Sequence, residues 1–129
     1  MPQKLMMFLK RKEGVSFEEF RDHYEKVHIP LIASWIGHVM VDFKRYYPHS
    51  AVNLYVGRED EADAPSKDGG IDYDSVSVYT LTEGAVDEIR RVRQSPEYTR
   101  AITEDEKNFV DRGATRVTLT EETSGPGMI

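Results

Sequence analysis

The sequence predicts an α+β domain in which a four-stranded antiparallel sheet carries helices on one face, and three observations point to it. Strand-patterned and helix-patterned segments follow one another in the order β-α-β-β-α-β, the second helix being broken by a proline. The first and last helical stretches open on side-chain caps, Ser16 with Glu19 and Ser95 with Pro96. No internal repeat divides the chain, so its 129 residues are expected to form one domain, 1–129, with a core of about 4–122.

The elements follow in order. Lys4-Leu-Met-Met-Phe-Leu-Lys10 is an unbroken apolar run bounded by charge, as in a strand covered on both faces, and Glu13-Gly14 turns the chain after it. Ser16 and Glu19 form a capping box, each side chain meeting the other's backbone N–H, and open a helix with Phe17, Phe20, Tyr24, Val27, His28 and Leu31 on one stripe. Pro30 is expected to close or kink that helix just after His28. Leu31–Ile36 continues as a short helical or irregular segment that ends at Gly37, and it holds the single tryptophan, Trp35, as core or pocket wall. Val39, Val41 and Phe43 alternate with Met40, Asp42 and Lys44 in a second strand reaching about Tyr47. Residues 57–70 are acidic, small and aperiodic, a long loop of the kind that serves as lid, binding loop or insertion.

Tyr73–Leu81 alternates again and is rich in β-branched and aromatic residues, a third strand. Thr82 can cap a second helix with Val86, Ile89 and Arg93 on a face, ended by Ser95-Pro96. The helix capped by Ser95 runs to about Val110 and aligns Tyr98, Ile102, Asp105 and Phe109. Asp105 is the odd member, because a carboxylate on an apolar face needs a specific partner; a structural salt bridge or loop amide is at least as good an explanation as a functional role. Ala114–Glu121 is a fourth strand and 124–129 a loose tail. This order is the split βαβ arrangement of ferredoxin-like folds, and its second sheet face needs cover, most simply from a second copy of the chain.

Composition excludes several functions. A net charge of −6 without clustered Lys and Arg argues against nucleic acid or an anionic membrane as partner, and Lys10-Arg11-Lys12 is too short to alter this. The absence of cysteine rules out disulfides, thiolate nucleophiles and Cys-based metal sites, and it fits a cytoplasmic protein. The apolar run Leu5–Leu9 is too short for a signal segment or a membrane span. His28 has two readings: a buried structural imidazole, which residue pattern alone favours, or a general acid or base in a half-buried pocket. His23 lies five residues earlier, well off a common α-helical face, so the two are not a ready chelating pair.

Several motifs together resemble one family. Lys10–Phe20, Tyr24-Glu-Lys-Val-His-Ile-Pro30, Lys44-Arg-Tyr-Tyr-Pro48, Tyr73-Asp74, Ser95-Pro-Glu97 and Asp105-Glu106 with Phe109-Val-Asp111 look like the EthD-domain branch of the dimeric α/β barrel proteins. The resemblance covers residues 4–122 and implies a ferredoxin-like subunit that dimerises through its sheet into a barrel, with a ligand pocket between sheet and helices. It implies a cofactor-free lyase, foremost a dehydratase, working by acid/base catalysis on a small cyclic, aromatic or polyketide-type carbonyl compound. Isomerase, cyclase and decarboxylase activity on similar ligands, a haem- or metal-dependent oxygenase and a non-catalytic binding protein are the alternatives. On this reading His28 is the acid/base group, Asp105 fixes its tautomer, and Tyr46 or His49 stabilises the developing enolate. Tyr24, Trp35, Phe43, Tyr47 and Phe109 wall the substrate, only one of Tyr46 and Tyr47 being able to enter from their strand.

Overall fold

The computed structural model describes residues 3–49 and 73–123, and every strand pair in it is antiparallel. Strands β1 (Lys4–Leu9), β2 (Met40–Tyr46), β3 (Ser75–Leu81) and β4 (Arg116–Thr120) form one sheet in the order β2-β3-β1-β4. The helices are α1 (Phe17–His23), α2 (Ile29–Ile36), α3 (Ala85–Arg93) and α4 (Pro96–Glu106). The loop expected at 57–70 and the tail at 124–129 lie outside the described residues.

The ferredoxin-like sheet expected from sequence is present, but the barrel is not. β2 pairs only with β3 and β4 only with β1, so the two edges never meet and the sheet stays open. Four strands are too few for closure, small barrels needing roughly eight. Among the described residues no helix is long and apolar enough to cross a membrane.

Strand register decides which side chains meet the helices. Leu5 lies opposite Tyr79, Met7 opposite Ser77 and Leu9 opposite Ser75, so these six side chains share the helical face. Ser75 and Ser77 are fully buried, and the Ser77 hydroxyl meets that of Tyr24. Phe43, opposite Tyr79 on the neighbouring strand, stacks on it with ring centroids 4.1 Å apart.

One core cluster joins Ile32, Ile36, Tyr79, Leu81, Val92, Tyr98 and Ile102; a second joins Leu9, Phe20, Tyr24, Phe109 and Val110. Complete burial of Leu9 and Phe20 contributes roughly 2–3 kcal/mol each.

The caps follow the sequence in part. Ser16 Oγ accepts from the Glu19 N–H at 3.1 Å, without the return bond from Glu19, and Ser95 Oγ accepts from the Tyr98 N–H at 3.4 Å. Thr82 does not cap α3. Its hydroxyl donates to Val39 O at 3.3 Å, and the helix starts instead after Gly84, whose φ of +77° is open to glycine at little cost.

Pro30 does not end the first helical stretch either. Tyr24–His28 widens into a single π turn, in which the Ile29 N–H bonds Tyr24 O, and α2 continues with Pro30 in its first turn. Proline offers no N–H to the carbonyl of Lys26 and its ring would strike that carbonyl in an α-helix, and the wider turn removes the clash. The extra residue also rephases the stripe, so that Phe20, Tyr24 and His28 are buried while Val27, expected inside, is exposed.

Candidate functional site

The π turn brings together what an α-helix would separate. Hydrogen bonding from i to i+5 stacks residues five apart, and His23 and His28 consequently reach the same carboxylate. His23 Nε2–H donates to Asp105 Oδ1 at 2.8 Å and His28 Nδ1–H donates to Asp105 Oδ2 at 2.7 Å. Asp105 comes from the last turn of α4, just before the segment that holds Phe109. That segment is tied to the end of β1: the Lys12 N–H bonds Phe109 O at 2.9 Å and the Asp111 N–H bonds Lys10 O at 2.8 Å. The Phe109 ring lies 4.5 Å from the His23 ring and 5.0 Å from that of His28.

A carboxylate can only accept, so Asp105 fixes the proton of His28 on Nδ1 and leaves Nε2 as the acceptor of the neutral ring. His28 is 4 % exposed, and no buried side-chain nitrogen or oxygen among the described residues lacks a partner. Nε2, which has none among those residues, is therefore the part of the ring that meets the adjoining cavity. Among the described residues no three metal-ligating groups converge as a metal site; His23, Asp105 and His28 meet through hydrogen bonds instead.

The cavity has a volume of about 550 Å³, within the range of small-molecule sites. His28 lines it together with an apolar wall from Leu5, Met7, Ile32, Ile36 and Ile102 and the rings of Tyr79 and Tyr98. Glu106, Arg93 and Arg112 supply its charge. Burial pushes the Tyr98 phenol up, so it stays protonated at neutral pH.

Two polar networks flank this cavity. Tyr24 shares a short hydrogen bond with Ser77, and burial pushes the Tyr24 phenol up to about 12 and that of Tyr79 well above its ordinary value. Farther out, Arg45 grips both oxygens of Glu25, with Nε 2.9 Å from Oε2, while the Tyr47 hydroxyl donates to the same carboxylate. The hydrogen bonds from Arg45, with that from Tyr47, hold Glu25 below the ordinary carboxylate range, and burial with the Glu25 bond pushes Tyr47 up.

Of the residues singled out from sequence, the fold brings His28, Asp105 and Phe109 together, with Tyr24 next to them. Trp35 packs edge-on against Tyr98, 5.5 Å between ring centroids, and Phe43 backs Tyr79, so both support the cavity wall from behind. Tyr47 belongs to the Glu25 cluster. Tyr46 is 54 % exposed and lines a groove with Lys4, Met6, Lys44 and Val78 on the opposite sheet face, away from His28. His49 is exposed and is not part of the cavity wall. Sequence reasoning missed His23, whose role depends on the π turn, and it missed Tyr79, Tyr98 and Arg112 as cavity residues. For Tyr79 and Tyr98 a signal existed, since both fall on the apolar positions of their elements.

The EthD domain model matches residues 12–113. Among solved structures, the chain is similar to an ethyl tert-butyl ether D (EthD) family protein from Bacillus halodurans, with 16% identity over 95% of this chain and 100% of that one and a TM-score of 0.58. It is similar to an EthD-like protein from Ralstonia eutropha, with 12% identity over 93% of this chain and 90% of that one and a TM-score of 0.64. It is also similar to a dimeric protein of ferredoxin-like fold from Bacteroides fragilis, with 10% identity over 94% of this chain and 96% of that one and a TM-score of 0.52. At these identities the structural likeness is one of fold. No curated protein matches the chain.

The buried phenols set the alkaline limit of stability. Below about pH 10 they are protonated in folded and unfolded chain alike; above it the unfolded chain ionises first, so stability falls as pH rises from about 10 towards 12. Urea midpoints measured from about pH 8 to about pH 11.5 should decline less steeply in Tyr24→Phe than in the parent chain, and identical slopes would remove Tyr24 from the effect.

Proposed function

The chain belongs to the EthD-domain family, and from that premise we propose that it is a cofactor-free lyase, a dehydratase acting on a small cyclic, aromatic or polyketide-type carbonyl compound. Family and fold fit a protein that acts on or binds a small molecule. The observation that supports the finer reading is the His28 ring, oriented by Asp105 through Nδ1 and open to an apolar cavity through Nε2.

Loss of water beside a carbonyl needs a base and then an acid. Nε2 takes the proton from the carbon next to the carbonyl and an enolate forms. The enolate electrons re-form the carbonyl and make the carbon–carbon double bond as the β-hydroxyl leaves. The imidazolium returns the proton to the departing oxygen, so water is released and the protein ends unchanged. Asp105 is a positioning residue: it holds the tautomer and meets the charge that develops on the ring. Tyr46 and His49 lie elsewhere, and the enolate donor in this scheme is Tyr98, a cavity-lining phenol that keeps its proton.

Enolate formation can be followed without the natural substrate. The protein should speed exchange of the α-protons of 2-tetralone in heavy water, read by NMR. His28→Ala should cut that rate by about 100-fold or more with the fold kept, and Tyr98→Phe by a smaller factor. An undiminished rate in His28→Ala would take the imidazole out of the mechanism.

The partner proposed is a second copy of the chain. The sheet face away from the helices presents Met6, Phe8, Val76 and Val78 between charged neighbours, none of them covered by a described element and none fully buried. Sedimentation should give twice the chain mass, and Val78→Glu should shift it to the single-chain mass; a parent chain that sediments as one copy would refute the pairing.

A further inference from the structure

The rim of the His28 cavity carries two guanidinium groups against one carboxylate. Arg112 Nε lies 3.4 Å from Glu106 Oε1. Among the described residues the terminal nitrogens of Arg112 donate no hydrogen bond. Arg93, at the end of α3, makes no ion pair among them at all, whereas Arg90 and Arg91 on the same helix pair with Asp87 and Glu88. Arg93 and Arg112 are both exposed, so their charge sits where the cavity meets solvent. Thr99, Thr103 and Thr115 line the same cavity, the hydroxyls of Thr99 and Thr115 donating to Arg93 O and Asp111 O.

We infer that the ligand of this cavity carries a carboxylate, anchored by Arg93 with help from Arg112, so that its carbonyl end is directed towards His28. The inference rests on the reading of the cavity as a small-molecule site and adds the substrate class to it. A guanidinium presents two parallel N–H groups that match the two oxygens of a carboxylate. One free fork at the rim suits one such group, and the Glu106–Arg112 pair leaves the rim with a single net positive charge. The apolar depth then takes the rings, and the two ends of the site fix the direction in which a ligand enters.

The test compares two probes of one shape, 2-naphthoate and 2-naphthamide, by calorimetry at low salt. The parent chain should bind the carboxylate about tenfold more tightly than the amide or better. In Arg93→Gln that preference should vanish while amide affinity is retained, which also shows that the variant folds. Arg91→Gln removes the same charge from the same helix outside the cavity and should keep the preference. Equal affinity of the two probes in the parent, a preference that survives in Arg93→Gln, or an equal loss in Arg91→Gln would each overturn the carboxylate anchor and leave the cavity reading standing. If neither probe binds the parent chain, the cavity reading fails and the anchor with it.

Discussion

One carboxylate on α4 holds two imidazoles of the facing helical segment. Asp105 is only 12 % exposed in its side chain, and burying it without partners would cost several kcal/mol. Its bonds to His23 and His28 satisfy both oxygens and fasten α4 to the π turn, while Phe109, held by the end of β1, closes over the rings. The orientation of His28 is thus part of the packing between the helical layers, and it depends on the chain before Pro30 widening by one residue.

That arrangement explains which parts of the molecule were legible in the sequence. Strands and helices announce themselves through period and caps, so the order of elements, the buried faces of Phe20, Tyr24 and Tyr98, and the need of Asp105 for a partner could all be read. The identity of that partner could be read for His28 but not for His23. A π turn has no hydrophobic period of its own, and α-helical spacing places residues five apart on different faces. Pro30 marked the site of the distortion without revealing its form.

The errors have similar physical sources. Tyr46 and Tyr47 alternate across their strand, and sequence cannot say which face holds the cavity; the register puts Tyr46 on the far side and Tyr47 against Glu25. Closure of a sheet is a property of strand number and edge pairing, and local pattern does not report either, so the open sheet was not legible. Thr82 is a good cap by composition, yet the positive φ available at Gly84 sets the start of α3 instead.

The account turns on where the neutral His28 ring keeps its proton, and nitrogen NMR of imidazole-labelled protein reads this directly. Long-range proton–nitrogen spectra should show Nδ1 protonated and Nε2 as the bare, acceptor nitrogen in the parent chain, with the balance of tautomers altered in Asp105→Asn. A ring protonated on Nε2 and bare on Nδ1 would contradict it, because such an imidazole has no lone pair to offer the cavity.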